Sequence, residues 1–420
     1  MFLSAHLPSS QAREAGHRIA YEHLRALAGA HSVTLVALAN KRERASVDGS
    51  LYQLCDAVHL IPVNQATRLA GLLRRPDLPL YVAGKYRGSV ARLVSEACRA
   101  HPGLLVWVEY TQMAQYFGAL SGNAVAVVMC QDILGQLFSR WAAAAKGLAR
   151  LVLRWEWSRL RSWEAEVLRS AHQVVVLSHK DLALVREFGV EHVVVGYPAP
   201  TQLPPPGRPR EPDPRPTIIF FGAMNRRENI DAVDWFLTAI FPLVRSEVSD
   251  ARVVVAGASP SDTRRKAWGQ SEGVVVTGLV SNPSVVLAEA WVAVAPMRLG
   301  AGLKLKVLEY LAHGLPVVAT QIGAEGIPAD GASGLVVADG PNELAEACIS
   351  LLSDRGRREA AAAAARNWYL NEYQPRELTS DRMSGILDAA RIRAGSGGPR
   401  AAGGRQGGAG RAVADDRGGP

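Results

Sequence analysis

Two consecutive α/β domains, each a doubly wound parallel sheet, are what this sequence predicts. Three observations carry that expectation. Apolar runs of strand length recur along the chain and are separated by segments long enough for helices. In the second half the runs stop at a Gly or Pro, where a ligand-facing loop begins in open α/β sheets. A proline-rich stretch around Pro204–Pro216 divides the two halves. The chain has 420 residues, too many for one ordinary core, and its 48% hydrophobic content suffices for two.

In the first half, Met1 to Ser4 supplies only the end of a strand, and Arg18 to Ala28 has helical apolar spacing. Strands follow at 32–38, 59–63, 104–108, 124–129, 174–177 and 192–195. The second half is expected to place strands at 217–221, 252–256, 274–276, 291–295 and 335–337, and one helix over 229–245. Helices at 342–352 and 357–368 complete it. The resulting division is a first domain over 1–198, a linker over 199–216, a second domain over 217–375, a final helix over 376–392 and a disordered tail over 393–420. That tail is dominated by Gly, Ala, Arg and Pro and cannot bury enough apolar surface to fold alone.

Bulk properties exclude several classes. No charge-free run of 18 apolar residues is present, and the N-terminus lacks a basic segment followed by an apolar core, so a cytoplasmic protein is expected. Cys55, Cys98, Cys130 and Cys348 are far apart, which argues against a zinc site or a disulfide framework. The net charge of +8 permits a phosphorylated ligand, an anionic membrane or nucleic acid. Nucleic acid is the least favoured of these, because the basic excess is dispersed or in the tail. His6, His17 and His23 have no metal-ligand spacing, no Asp-x-Asp pair occurs, and no P-loop sequence is present, so no metal or resident cofactor is expected.

One segment of the first half is unusual. Between Leu137 and Leu168, four tryptophans (Trp141, Trp155, Trp157, Trp163) are interleaved with Arg140, Lys146, Arg150, Arg154, Arg159 and Arg161. Such a segment fits an anionic membrane surface, with tryptophan at headgroup depth and arginine on lipid phosphate. The favoured reading of the same residues is two packed helices with the arginine stems lying along buried tryptophans.

The stretch from Gly300 to Thr320 says most about chemistry. It reads as a glycine loop, a short helix stopped at Gly314, and a buried strand beyond Pro316. Lys306, Glu309 and His313 fall within about 60° of one another around that helix. A helix start favours anions, and the absent side chains at Gly300 and Gly302 allow a phosphate to approach. The alternative for the same residues is an ordinary amphipathic helix with solvated lysines.

The runs Phe220-Phe221-Gly222-Ala223-Met224, Asn229 to Phe236, Val255-Ala256-Gly257 and Gly300 to Thr320 resemble the donor domain of family 4 glycosyltransferases. Val108 to Tyr116 and Gln131-Asp132-Ile133-Leu134 are similar to segments of bacterial members serving surface-polysaccharide assembly. The resemblance spans about 1–375 and implies a GT-B fold, two Rossmann-like domains facing across a cleft. It also implies transfer of a sugar, with retention and without a bound metal, from a nucleotide diphosphate donor to a glycan or lipid-linked acceptor. By the same resemblance Glu309 accepts hydrogen bonds from the donor ribose, and Lys306 neutralises the diphosphate. Arg226 or Arg227, after Gly222, adds a second cation. Gln131 stands where members carry a histidine near the transferred sugar, and Gly16 and His17 occupy the acceptor-side loop. Ala301 stands where many members have a further glutamate. Ala301, Gln131 and Glu228 keep open a nucleotide-binding homologue without turnover, and the shared layout keeps open a nucleotide-sugar epimerase.

Overall fold

The computed structural model describes residues 1–198 and 212–396, apart from Arg13, Ser46, Asp48, Ser259, Ser281, 329–331 and 375–376. The first domain holds seven strands: β1 (Phe2–Ser4), β2 (Thr34–Ala39), β3 (Ala57–Pro62), β4 (Leu105–Glu109), β5 (Val125–Cys130), β6 (Gln173–Val176) and β7 (Val193–Val195). The second holds six: β8 (Thr217–Phe221), β9 (Arg252–Ala256), β10 (Val274–Gly278), β11 (Val292–Ala295), β12 (Val317–Ala319) and β13 (Leu335–Val337). The sheet orders are β3-β2-β1-β4-β5-β6-β7 and β10-β9-β8-β11-β12-β13, and every pair of neighbours is parallel. In each domain the first three strands are laid down in one direction, and the fourth crosses back to the other side of the first. That creates a switch point between β1 and β4 and another between β8 and β11, where loops part to leave a crevice.

The apolar runs form strands because helices cover both faces of each sheet. All six residues of β5 are buried, and a parallel strand covered on two sides has no polar face to show. The Leu305–Ala312 helix ends as Gly314 requires: φ at Gly314 is +63°, its N–H donates to Leu311 O at 2.9 Å, and Leu315 N–H donates to Tyr310 O at 2.9 Å. Those two bonds and the left-handed glycine make a Schellman stop, which turns the chain into β12.

The expected single helix over 229–245 is interrupted. It forms as Arg227–Trp235, a π-helical turn over Phe236–Ile240, and Phe241–Glu247. Pro242 lacks an N–H, and its ring would meet the carbonyl four residues back, so the helix widens by a residue before it.

The final helix spans Ser380–Gly395, against an expected 376–392, and it packs on the first domain. Ser380 Oγ donates to Ala26 O at 2.9 Å, and Arg393 Nη1 donates to His172 O at 2.9 Å and Gln173 Oε1 at 2.8 Å. Tyr373 Oη donates to Pro198 O at 2.9 Å where the chain crosses back. Most of the linker expected over 199–216 and most of the tail expected over 393–420 fall outside the described residues. No helix among the described residues is long and apolar enough to cross a membrane.

Candidate functional site

The two switch points face each other across a cleft of about 1210 Å³. From the first domain the cleft is lined by Gly16, His17, Arg18, Tyr110, Gln131 and Asp132. From the second it is lined by Gly222, Arg226, Arg227, Gly300, Lys306 and Glu309. Of the residues expected at the site, the cleft therefore gathers all but Gly302. A Cβ at Gly302 would lie 2.2 Å from Asp132 Oδ1, so this glycine serves the close approach of the second domain's loop to the first.

Lys306 stands one residue into the Leu305–Ala312 helix. Its Nζ donates to Asn229 Oδ1 at 2.6 Å and lies 4.2 Å from the centre of the Phe220 ring. Asn229 Nδ2 donates to Ala223 O at 2.8 Å, so one amide ties the lysine to the loop after β8. A Cβ at Gly222 would come 3.0 Å from Asn229 Nδ2 and 3.1 Å from Lys306 Nζ, and at Gly257 (φ +131°) 1.9 Å from Gly222 O. These two glycines let the β8 and β9 loops close around the ammonium. Burial, then the nearby Arg226 and Lys304 charges, push the Lys306 amine down to about 7. A diphosphate entering beside it would restore the full charge.

Glu309 lies one turn further along the same helix, 1% exposed, with Arg18 Nη2 of the first domain 3.7 Å from its Oε1. Glu309 lines the cleft, and a carboxylate can accept from two vicinal hydroxyls at once. His313, on the same stripe, is buried, with Nδ1 2.7 Å from Glu309 O and Nε2 3.2 Å from Ser284 Oγ. It belongs to the scaffold. Arg226 Nε donates to Glu228 Oε1 at 2.9 Å. Burial alone would raise the Glu228 carboxyl, but the Arg226 guanidinium outweighs it and holds the group below its usual range.

On the facing wall Gln131 is buried, and its Nε2 donates to Glu109 Oε1 at 2.6 Å and to Gly16 O at 3.1 Å. Glu109 also accepts from Trp107 Nε1 at 2.8 Å and faces His23 Nδ1 at 3.0 Å. Gly16 and His17, expected on a loop, stand in the first turn of the Ala15–Ala28 helix, and Gln131 holds that turn in place. Tyr110 is the sole described non-glycine residue with positive φ, +74°, a strained backbone at the edge of the cleft. Asp132 opens onto cleft solvent with protein crowded behind it, and that desolvation pushes its carboxyl up to about 7 against the pull of Lys304 and Arg226.

A second polar cluster closes the seam between the domains. Arg140 donates to Glu325 at 2.8 and 2.6 Å and to Gly300 O at 2.6 Å. Lys180 also bonds Glu325, and Lys304 lies 3.5 Å from it while donating to Ala301 O at 3.0 Å and Gly302 O at 2.6 Å. All three carbonyls of the glycine loop are therefore held by cations. Sequence reasoning did not single out Arg18, Asn229, Lys304 or Glu325 for the site. Their signal was position alone, each within a few residues of a glycine loop.

For metals, the described residues offer one grouping, His6, His17 and Glu43, whose ligand atoms lie within 4.8 Å of one another. Spacing along the chain hid it. Lys85 Nζ already stands 3.4 Å from His6 Nε2, so the cluster holds a cation of its own. The His6 and His17 rings stack at 4.8 Å, and burial holds both imidazoles below their ordinary value.

Comparison with known proteins bears on the second domain and on the fold. Residues 215–354 match the family model described as glycosyl transferases group 1. An uncharacterized 44.6 kDa protein in the cps region of Klebsiella pneumoniae is 29% identical over 130 residues, 29% of this chain and 33% of that protein. A GDP-mannose-dependent alpha-(1-6)-phosphatidylinositol monomannoside mannosyltransferase of Mycobacterium tuberculosis is 32% identical over 176 residues, 38% of this chain and 44% of that protein. The matches thus span less than half the length of either relative. Among solved structures, WaaG, a glycosyltransferase involved in lipopolysaccharide biosynthesis, superposes with a TM-score of 0.60 at 16% identity, covering 93% of this chain and 99% of that one. The fold is GT-B.

Proposed function

We propose, from the match of residues 215–354 to the group 1 glycosyl transferases, that the chain moves a sugar with retention from a nucleotide diphosphate donor to a glycan or lipid-linked acceptor. The observation that carries this reading is the convergence of Lys306 and Glu309 on one cleft with Arg226, Arg227 and the glycine loop. Glu309 takes the ribose hydroxyls, and Lys306 with Arg226 or Arg227 takes the diphosphate. Negative charge grows on that diphosphate as the glycosidic bond breaks, and prearranged cations stabilise it there without reorganising. The acceptor hydroxyl attacks from the face the diphosphate leaves, its proton passes to the departing phosphate oxygen, and no enzymic nucleophile is needed. Gln131, spent on Glu109 and Gly16, shapes the acceptor side rather than moving a proton. No metal is assigned a role, because the cations at the diphosphate are side chains.

The relative encoded in a cps region supports a role in surface-polysaccharide synthesis, and we place the enzyme in the cytoplasm at the inner face of the cell membrane. The test is a thermal-shift and turnover screen with UDP-, GDP-, ADP- and dTDP-sugars, since a ligand of the folded state raises its stability. One nucleotide-sugar is expected to stabilise the protein and be turned over, and Glu309→Ala is expected to abolish both. Stabilisation without turnover against any acceptor would point to the nucleotide-binding homologue, and conversion of the free nucleotide-sugar to an epimer would point to an epimerase.

A further inference from the structure

The helix pair Leu134–Ala144 and Gly147–Ser170 forms part of the cleft wall and continues beyond it into solvent. On the second helix, Leu148, Leu151, Val152 and Trp155 are 76, 66, 49 and 52% exposed. They stand at i, i+3, i+4 and i+7, which makes them one stripe. Around the helix, Ala149 lies about 60° from Val152 on one side, and Arg154 about 60° from Leu151 on the other. Ala149 and Leu153 line the cleft, as do Leu137 and Trp141 of the preceding helix. The apolar stripe therefore runs without a polar break from open solvent into the site.

The charge beside this stripe is predominantly positive. Lys146, Arg150 and Arg154 are exposed beside the stripe. Between Leu134 and Trp163 the one acidic residue is Glu156, which is turned inward, as is Glu164 just beyond; the exposed Asp77, next to Arg159 at the Trp155 end, is paired with Arg75. Glu156 accepts from Tyr81 N at 2.8 Å, and Glu164 accepts from Leu134 N and Gly135 N at 2.9 and 2.8 Å. Trp157 and Trp163, by contrast, pack against the core of the pair. An exposed apolar stripe bordered by arginines, with its neighbouring carboxylate already paired to Arg75, matches the headgroup region of an anionic bilayer.

We infer that this stripe seats the protein on an anionic phospholipid surface, and that the acceptor is carried on an apolar tail that enters the cleft along Ala149 and Leu153. The acceptor half of this inference rests on the proposed glycosyl transfer; the surface half does not. Burying four apolar side chains gives a helix of this kind enough affinity for a bilayer when arginines add the attraction of lipid phosphate.

The experiment uses the full chain with vesicles of phosphatidylglycerol and phosphatidylcholine, or of phosphatidylcholine alone. The wild type is expected to co-sediment with the anionic vesicles and to be released by salt, and Leu148→Glu/Leu151→Glu to bind them at least about tenfold more weakly. The thermal shift with the nucleotide-sugar should be the same in both proteins, which shows that the variant is folded. Transfer to a sugar on a long alkyl chain in vesicles should fall at least about tenfold in the variant, while transfer to the same sugar on a short soluble chain should not change. Because the vesicle measurement needs no donor, a protein that fails to transfer sugar still decides the surface. Equal vesicle binding by wild type and variant, or none by the wild type at low salt, overturns the inference. So does a wild-type dimer that the variant breaks, since the stripe would then face a second copy, and so does an equal loss of transfer to both acceptors.

Discussion

Arg18 Nη2 of the first domain stands 3.7 Å from Glu309 Oε1 of the second, an ion pair across the cleft with both side chains largely buried. It places the carboxylate assigned to the donor ribose under the control of the first turn of the Ala15–Ala28 helix. Each hydrogen bond to a charged acceptor is worth about 1.5–3 kcal/mol. Glu309→Gln should therefore weaken nucleotide-sugar binding by about tenfold to a hundredfold, measured by calorimetry. Arg18→Ala should cost less, and the double variant should show non-additive losses. Unchanged affinity in Glu309→Gln would remove the ribose assignment.

The Lys306 amine, pushed down to about 7 by burial, then by Arg226 and Lys304, predicts a pH dependence of binding. As pH rises through 7 the empty site loses its ammonium, and a bound diphosphate must bring the proton back. Affinity for a nucleoside diphosphate should fall between pH 7 and 9, and binding at pH 8 should take up protons. Calorimetry in buffers of different ionisation enthalpy reads that uptake directly. The unfolded lysine keeps its proton to a higher pH, so this group also makes the empty fold more stable as pH rises above 7. A flat profile in the wild type, or a fall with pH that persists in Lys306→Met, would remove the lysine from the diphosphate.

Gly16 is pressed by two neighbours: a Cβ there would lie 2.7 Å from Gln131 Oε1 and 2.9 Å from Tyr110 Oη. Gly16→Ala should displace Gln131 and lower turnover by about tenfold or more, with the nucleotide-dependent thermal shift retained. Gly118→Ala, where a Cβ meets nothing within 4 Å, is the control and should behave as wild type.

Glu325 gathers Arg140, Lys180 and Lys304 at the seam. Burial would raise its carboxyl, but the bonds from Arg140 and Lys180 and the Lys304 charge outweigh that and hold it below the usual range. Glu325→Gln leaves three cations facing one another and should cost on the order of 3 kcal/mol, read by denaturant unfolding. A depressed carboxyl gives stability that is present above its unfolded value of about 4.3 and lost as pH falls through the folded one. The wild type and the variant should therefore converge in stability as the solution is acidified below about pH 4. X-ray scattering should show a larger radius of gyration for the variant at neutral pH. A variant as stable and compact as wild type would deny the seam its role.

Local pattern determined much of this molecule. Strand-length apolar runs such as 125–130 specify strands because parallel sheets bury both faces. Gly314 and Pro316 specify where the Leu305–Ala312 helix stops, because a left-handed glycine followed by proline leaves the chain no way to continue. The helical period put Lys306, Glu309 and His313 on one stripe, and the glycine loop before them marked a phosphate-sized opening. Period alone did not separate their fates: Lys306 and Glu309 face the cleft, whereas His313 bonds Ser284.

Tertiary structure decided the rest, wherever two distant segments had to meet. Arg18 and Glu309 are 291 positions apart (309 − 18), and no local propensity relates them. The same holds for Gln131 on Gly16 O within the first domain, and for Arg140 on Gly300 O and Asp132 against Gly302 between the two domains. The amine of Lys306 follows the same rule, because desolvation depends on what packs around a group and not on its neighbours in sequence. Sequence fixed the ingredients of the donor loop through short-range backbone physics. Only packing of one domain against the other set their charges, their distances and the cleft between them.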